Sequence, residues 1–345
     1  MPTRDATPLR VAVVGAGAFG RNHLRVYREL EQAGVLVRLA AVVDPNEAAR
    51  SAAQTQYAVP GFASIDECIA AVQLDAASLC VPTVHHAACA RPLLAAGVDL
   101  LIEKPLAASL AQADEIVRLA RELGRTVQVG HLERFNPAVR AVRSLLNRPM
   151  FFEVHRLSVF TPRSLDVDVV LDLMVHDLDI VMSLVASPVR ELRAVGLPVL
   201  SPRVDIANVR LEFENGCVAN FTASRVSTER VRKMRFFQPH QYLSLDFARQ
   251  DLLLIDVTAA AGLGPSQLAA LASAAALGSQ PAPGMSLRKV PVEPGEPLRL
   301  EIDAFLDAVR GHAQPQVSVE DGRAALALAL QINAAIASHA RRTGL

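Results

Sequence analysis

Residues 11–20 read VAVVGAGAFG, an apolar run that continues into glycines at positions 15, 17 and 20. Gly15 permits a tight turn after a strand, Gly17 lets the backbone approach a pyrophosphate, and Gly20 permits a helix to pack closely on that strand. The free amides at the start of the helix would then face the phosphates. The pattern predicts a dinucleotide-binding turn whose contacts are Gly15, Gly17, Ala18, Phe19 and Gly20.

A carboxylate follows at the spacing that adenosine binding requires. Val37–Val43 is a second apolar run, and Asp44 comes directly after it. A carboxylate in that place accepts hydrogen bonds from the ribose hydroxyls and repels a 2′-phosphate, so the sequence favours NAD over NADP as the cofactor. The alternative is a glycine-rich turn that binds no ligand.

Strand and helix patterns alternate through the first third of the chain. Apolar runs at Val11–Val14, Val37–Val43, Ala76–Cys80 and Val98–Ile102 alternate with helical stretches at Ala18–Gln32, from Asn46 and at His85–Ala96. Such alternation is typical of a parallel, doubly wound sheet with helices on both faces.

The pattern changes after about Gly130. Predicted strands follow one another at Phe151–Phe160, Arg193–Val199, Ala207–Phe213, Val218–Arg225, Lys233–Phe237 and Tyr242–Phe247. Asn215-Gly216 indicates a hairpin between two of them, and consecutive strands indicate an antiparallel sheet. Two helices close the chain, at about Leu298–Arg310 and Val319–Arg341.

The two patterns together predict an α/β protein with two domains. Residues 1–129 form a doubly wound parallel sheet that binds NAD. Residues 130–345 form an α/β domain with an open, mainly antiparallel sheet that binds the substrate. The last helix, about 319–341, is a candidate to pack back on the first domain.

Composition excludes several classes of function. The 345 residues carry 35 Lys plus Arg and 35 Asp plus Glu, so the chain lacks the basic footprint that nucleic-acid binding needs. The cysteines show no metal-binding spacing, and we expect reduced thiols in a cytoplasmic protein; they are Cys68, Cys80, Cys89 and Cys217.

Met1–Arg10 is polar, unlike a signal peptide. Thr258–Gly278 is interrupted by Gly and Pro, which indicates a loop and a surface helix rather than a membrane span, and Pro281–Pro297 indicates a surface loop.

Lys104 follows the fourth apolar run, in the sequence Glu103-Lys104-Pro105. In an open parallel sheet, ligands bind beyond the carboxyl ends of the strands, so Lys104 is expected to face the nicotinamide and the group that reacts with it. Its ammonium group can hydrogen-bond a carbinol oxygen and stabilise negative charge on it. Taken alone, an ordinary surface lysine before a proline is the alternative.

Charged side chains interrupt an apolar helix in the second domain. Val169–Val185 reads VVLDLMVHDLDIVMSLV, which predicts a buried helix. Asp172, His176 and Asp179 share one face of it, and Asp172 can orient His176 as a general acid or base. The alternatives are a structural His–Asp pair and a shared metal ion. Because no third ligand is apparent, we expect no metal.

These elements together resemble the Gfo/Idh/MocA family of sugar-type dehydrogenases and reductases. The matching pieces are GAGAFG with Asp44, Val81-Pro82-Thr83 followed by His86, Glu103-Lys104-Pro105, Asp172…His176, and Glu320-Asp321-Gly322. The resemblance spans nearly the whole chain. It implies a Rossmann domain, a second domain whose open sheet is often used to form homodimers or homotetramers, and a catalytic set of Lys104, Asp172 and His176. Cofactor contacts implied beyond the turn are Asp44, Pro82, Thr83, His86, Glu103 and Lys104.

Within that family, residues 130–137 (GHLERFNP) most resemble the branch that oxidises C3 of UDP-N-acetylglucosamine for the synthesis of 3-amino sugars of lipid A-type glycolipids. We expect Arg134, Asn136 and Arg163 to bind the diphosphate or the sugar hydroxyls, although each arginine could equally be a solvated surface charge. The stretch Leu173-Met174-Val175 departs from the glycine that many relatives have there, which leaves the identity of the sugar open.

The expected reaction removes a hydride from the sugar carbon while His176 takes the hydroxyl proton and Lys104 steadies the oxygen. Four alternatives stay open at this point. A dehydrogenase for a free polyol such as an inositol, or a sugar ketoreductase, would use the same residues. A glycosidase would use NAD transiently, and a sensor would bind NAD without needing the catalytic set.

Overall fold

The structure, a computed structural model, describes residues 7–161, 167–258, 263–264, 266–267, 269 and 285–344. Contacts divide the chain into two compact units. The first unit comprises Met1–Leu132 with Glu296–Ala327, and the second comprises Glu133–Gly295 with Leu328–Leu345. Among the described helices, none has both the length and the apolar character that crossing a membrane needs.

Each unit is built around one sheet. The strands are β1 (Leu9–Val14), β2 (Val37–Val43), β3 (Gly61–Phe62), β4 (Ala76–Leu79), β5 (Asp99–Glu103), β6 (Val127–Gly130), β7 (Phe151–Val159), β8 (Val189–Leu197), β9 (Ile206–Phe213), β10 (Val218–Ser227), β11 (Val231–Gln238), β12 (Gln241–Asp246), β13 (Asp251–Asp256) and β14 (Ser286–Val290). The helices are α1 (Ala18–Gln32), α2 (Glu47–Tyr57), α3 (Ile65–Ala71), α4 (His86–Ala95), α5 (Leu110–Glu122), α6 (Pro137–Val142), α7 (Val175–Val185), α8 (Pro297–Gly311) and α9 (Val319–Thr343).

The first unit has a six-stranded sheet in the order β3-β2-β1-β4-β5-β6, and every neighbouring pair is parallel. The central strands are buried on both faces, as their continuous apolar runs predict. This confirms the predicted doubly wound parallel sheet. The strand order reverses between β1 and β4, which is where ligands bind in such sheets.

Helix α8 lies with the first unit, although the sequence analysis assigned residues 130–345 to the second domain. The apolar face of α8 belongs to the core cluster around α1 and β1, contributing Leu298, Ile302, Phe305, Leu306 and Val309. The burial of this face explains why the helix returns to the first unit.

The second unit has an eight-stranded sheet in the order β14-β13-β12-β11-β7-β10-β9-β8. All neighbouring pairs are antiparallel except β7 with β10. This confirms the predicted open, mainly antiparallel sheet. The predicted hairpin also forms: Gly216 joins β9 to β10 with φ of +84°, a conformation that glycine adopts without strain.

The predicted helix Val169–Val185 forms with one difference at its start. Val170–Met174 is a π-helical turn, and the α-helical part, α7, begins at Val175. Asp168 caps the turn, since its Oδ1 accepts hydrogen bonds from the amides of Val170 and Leu171. The i, i+4 spacing of Asp172 and His176 therefore crosses a boundary between two helical geometries.

Short strands and polar edge strands were not predicted. β3 has two residues and β6 has four, which is too few to show a period, and the residues of β14 are mostly exposed. The prediction for Thr258–Gly278 falls largely outside the described residues, as does Arg163. The predicted surface loop Pro281–Pro297 is wrong in part, because Ser286–Val290 within it forms β14, which pairs with β13.

Candidate active site

The glycines of the first turn lie where the sequence analysis expected them. Gly15 has φ of +99°, and a Cβ added there would lie 2.7 Å from the carbonyl oxygen of Cys80. A Cβ on Gly20 would lie 1.8 Å from the carbonyl oxygen of Gly15, so α1 can approach the turn only with glycine there. A Cβ on Gly17 would meet nothing within 4 Å. This open space is where a phosphate can approach the backbone.

Asp44 lies beside this turn at the end of β2. Its Oδ2 accepts a hydrogen bond from the amide of Ala16 at 2.7 Å, and its Oδ1 accepts one from the amide of Asn46 at 2.8 Å. Arg50 donates to the carbonyl oxygen of Asp44 at 2.7 Å. These contacts fix the carboxylate at the mouth of the turn, where it can also receive ribose hydroxyls.

A cleft of about 620 Å³ in the first unit joins these parts. Gly15, Gly17, Asp44 and Pro82 line it, as do residues that the sequence analysis did not single out: Ser64, Asp66, His85 and Cys89. Ser64 also caps α3, accepting a hydrogen bond from the amide of Glu67 at 3.2 Å. The helix-capping pattern at Ser64 could have indicated this part of the cleft. It was missed because β3, which precedes it, is too short to be recognised in the sequence.

The cleft fits a dinucleotide. It has a glycine turn at a helix N-terminus, open space at Gly17, a carboxylate at the end of β2 and a largely apolar wall. Phe19 is partly exposed at the start of α1, next to Ala18. Gly15, Gly17, Ala18, Phe19 and Gly20 therefore remain the residues that would hold the pyrophosphate, with Asp44 at the ribose.

Glu103 is the last residue of β5, and Lys104 follows it directly. The carboxylate of Glu103 lies 3.0 Å from Nε2 of His23, whose side chain is fully buried in α1. Gly130 in β6 provides the room, since a Cβ there would lie 2.9 Å from Glu103. Glu103 thus connects β5 to α1, and direct contact of Glu103 and Lys104 with the cofactor stays a prediction.

A second carboxyl, that of Glu301, is buried near Glu103. Glu301 in α8 is completely buried, and its Oε1 and Oε2 have no hydrogen-bond partner in the part of the chain that the structure describes. Burial raises the pKa of the Glu301 carboxyl well above its ordinary value, and the nearby charge of Glu103 raises it further. Burial and the charge of Glu103 thus both favour the protonated, uncharged form of Glu301.

His86 lies at the start of α4, where carbonyl groups of neighbouring segments surround its ring. Its ring is buried, with Nε2 at 3.0 Å from the carbonyl oxygen of Val81 and Nδ1 at 3.0 Å from that of Pro105. Burial lowers the pKa of His86, although these carbonyl groups act in the opposite direction. The ring ties the Pro82-Thr83 loop to the segment that follows Lys104. Direct contact of Thr83 and His86 with the cofactor stays a prediction.

Asp172 and His176 are half-buried in the second unit, at the π-helical turn and in the first turn of α7. Asn333 of α9 donates to Oδ2 of Asp168 at 2.8 Å and so fixes the start of the same segment. The pair of acid and imidazole on one segment is the arrangement that general acid–base chemistry uses. π-Helical turns often occur at functional sites.

The third acidic residue of this helix has a structural partner. Asp179 is completely buried, and both its oxygens accept hydrogen bonds from Arg134, at 2.7 and 2.8 Å. Asn136 is also buried; it caps α6 and donates to the carbonyl oxygen of Phe247 at 3.0 Å. The structure thus gives Arg134 and Asn136 local partners that the sequence could not show, and their substrate contacts stay predictions.

A second buried ion pair was missed by the sequence analysis. Arg156 in β7 donates to both oxygens of Asp177, at 2.8 and 2.7 Å, and to Glu133 at 3.0 Å. Its guanidinium also lies over the ring of Phe247, 5.4 Å from the ring centroid. Asp177 follows His176 directly, so this pairing fixes the helix turn that carries the imidazole.

Both halves of the chain match known families. Residues 9–131 match the Gfo/Idh/MocA oxidoreductase family, NAD-binding Rossmann fold, and residues 138–238 match the Gfo/Idh/MocA C-terminal domain.

One similar protein matches nearly the full length of this chain, and another matches about half of it. The UDP-N-acetylglucosamine 3-dehydrogenase of Acidithiobacillus ferrooxidans is 33% identical over 97% of this chain and 99% of its own. A solved structure of that enzyme superposes with a TM-score of 0.84, at 32% identity, over 96% of this chain and 98% of the other. An inositol 2-dehydrogenase of Leifsonia xyli is 33% identical over 52% of this chain and 55% of its own.

Proposed function

The chain belongs to the Gfo/Idh/MocA family of NAD-binding oxidoreductases, and we propose that it oxidises C3 of UDP-N-acetylglucosamine to a ketone. The observation that carries this proposal is the match to a UDP-N-acetylglucosamine 3-dehydrogenase, which extends over 97% of the chain. The inositol 2-dehydrogenase, by contrast, matches about half of it. A full-length match includes the second unit, where the substrate-binding residues are expected.

In the proposed reaction, bound NAD supplies the hydride acceptor. His176 takes the proton of the C3 hydroxyl as general base, and Asp172 orients the imidazole. Lys104 donates a hydrogen bond to the same oxygen and stabilises the negative charge that develops there. Lys104 suits this role because it directly follows β5, at the carboxyl end of the strands where ligands bind in an open parallel sheet.

The ketone product would serve the synthesis of a 3-amino sugar of the lipid A type in the cytoplasm.

We also infer that the protein works as a homodimer or homotetramer. An aromatic cluster on the sheet face opposite α7 supports this inference: the rings of Phe151 and Phe237 lie 5.7 Å apart, and those of Phe237 and Tyr242 lie 5.1 Å apart. Sedimentation of the purified protein as a monomer at micromolar concentration would contradict it.

Oxidation of a free polyol is the second candidate. The 33% identity to an inositol 2-dehydrogenase favours it. The two candidates differ in the need for a nucleotide. Turnover of inositol without any binding of UDP would support the polyol and exclude the nucleotide sugar.

Absorbance of reduced nicotinamide tests the proposal. The purified protein is mixed with NAD and UDP-N-acetylglucosamine, together with an aminotransferase that removes the ketone. We expect a rise in the native protein, and a loss of about a hundredfold or more in rate for His176→Ala and Lys104→Ala. Both variants should still bind NAD. His155→Ala, on the outer face of β7, is the control and should keep the native rate.

Two results would contradict the proposal. A flat trace from native protein that binds NAD would exclude this substrate. Full activity of either alanine variant would exclude that residue from catalysis.

A further inference from the structure

Two arginines face the helices of the second unit from neighbouring strands. Arg156 in β7 and Arg232 in β11 are directly opposite in the register. Arg232 shares its face of β11 with the buried Met234, and Arg156 shares its face with the buried Val154. Asp177 of α7 binds Arg156, so this is the face that meets the helix carrying His176.

Arg156 uses all its donor nitrogens within the protein. Nε and Nη2 bind Asp177, and Nη1 binds Glu133. The two carboxylates nearest to the pair of arginines are therefore already engaged.

Arg232 does not have equivalent partners. Its Nη1 lies 3.9 Å from Glu133, which is longer than a hydrogen bond, and its Nε has no hydrogen-bond partner among the described residues. The side chain is 37% exposed, so an external ligand can reach it.

Positive charge exceeds negative charge around Arg232. The groups that act on it are Arg156, Arg230, Glu133 and Asp177, so three guanidinium groups face two carboxylates. Burial lowers the pKa of Arg232, and repulsion from Arg156 and Arg230 lowers it further. An anion bound there would remove this repulsion.

The excess positive charge lies at the end of the sheet where β7 and β10 finish. The segment that carries His176 begins at the same end. Arg232 is the second residue of β11, close to where β7 and β10 end. Near the end of β10, Arg225 donates to the carbonyl oxygen of Val167, three residues before the π-helical turn. Substrate held by His176 would therefore extend along this edge.

We propose that Arg232, with Arg230 beside it, binds the diphosphate of the nucleotide sugar. Guanidinium groups bind phosphate oxygens in bidentate fashion, and a diphosphate supplies negative charge that offsets the excess of guanidinium groups here. This inference rests on the proposed function, because only a nucleotide sugar carries a diphosphate next to the reacting ring.

Calorimetric titration of the NAD-loaded protein with UDP and with uridine tests the inference. Arg232→Gln should weaken UDP binding about tenfold or more, because a charged hydrogen bond is lost. Uridine, which has no phosphate, should bind this variant and the native protein alike. In turnover the KM for the nucleotide sugar should rise while kcat changes less than about twofold.

Arg235→Gln is a closely matched control. Arg235 lies on the opposite face of β11, 3.9 Å from Glu153 and 39% exposed, so it shares with Arg232 its strand, exposure and ion-pair distance. It should bind UDP as the native protein does.

The outcomes separate the two proposals. Native affinity for UDP in Arg232→Gln would overturn this inference and leave the proposed function standing. An equal loss for UDP and uridine would also overturn it, since the diphosphate would then not be what Arg232 recognises. Native protein that neither binds UDP nor oxidises the UDP-sugar would overturn the proposed function and this inference with it.

Discussion

Gly17 and Gly20 lie three residues apart in the first turn, yet a methyl group would meet different surroundings at each. At Gly20 it would overlap the carbonyl oxygen of Gly15, whereas at Gly17 it would enter the open cleft. The backbone of Gly17 has φ of −65°, which any residue adopts. Gly20 is thus needed for folding of the turn, and Gly17 is needed only when a phosphate is bound.

We expect Gly20→Ala and Gly17→Ala to separate stability from binding. Gly20→Ala should lower the free energy of unfolding by about 1–3 kcal/mol or more, because α1 must move. Gly17→Ala should unfold within about 0.5 kcal/mol of the native protein but bind NAD about tenfold more weakly. Urea unfolding and calorimetry measure the two effects. Native NAD affinity in Gly17→Ala would show that the pyrophosphate does not approach this backbone.

The sequence predicted individual residues best where local geometry decides their role. A strand, a turn and a helix of ordinary length separate Gly15, Gly17, Gly20 and Asp44. Their spacing along the chain is therefore enough to predict that they lie together. The partners of Arg134 and Arg156 lie 45 and 21 residues away in the chain. An arginine that becomes a buried ion pair looks the same in sequence as one that binds substrate, which is why the structural partner of Arg134 was missed.

Among the elements, α8 carries a buried carboxyl that makes the free energy of unfolding depend on pH. Its apolar face packs in the core of the first unit, and Glu301 lies on that buried side with Glu103, Tyr27 and Cys80 nearby. The raised pKa means that the folded protein keeps a proton on Glu301 which the unfolded chain releases above the ordinary value of 4.5. The free energy of unfolding therefore falls as pH rises through this range.

Replacement of Glu301 by Gln removes this proton equilibrium and keeps the shape of the side chain. We expect the stability of Glu301→Gln relative to the native protein to increase between about pH 5.5 and about pH 8. Urea unfolding at both values measures the change. Glu320→Gln, an exposed carboxyl at the start of α9, is the control and should show a smaller dependence. A pH-independent difference for Glu301→Gln would show that the native carboxyl is ionised.

The π-helical turn could not be predicted from the sequence. The run from Val169 to Val185 is apolar almost all round, and such a pattern has no sharp period that would distinguish an α-helix from one with an extra residue in a turn. Asp168 at its start and Asn333 in α9 hold the segment through hydrogen bonds. The contact with Asn333 joins residues 165 positions apart, which a local pattern cannot indicate.

For the whole molecule, hydrophobic patterning predicted both sheets, because one is buried on both faces and the other on one face. It failed for α8, whose amphipathic pattern shows that a face is buried but not against which core. The central claim depends on this architecture: the first unit has the nucleotide cleft, and the second has the helix with Asp172 and His176.

The measurement that tests the central claim most directly follows the hydrogen at C3 of the sugar. Native protein is incubated with NAD and UDP-N-acetylglucosamine that carries deuterium at C3, and the reduced nicotinamide is analysed by mass spectrometry. Direct oxidation at C3 predicts reduced nicotinamide that carries one deuterium, formed more slowly than with unlabelled substrate. Reduced nicotinamide without deuterium, or none at all from protein that binds NAD, would contradict oxidation at C3.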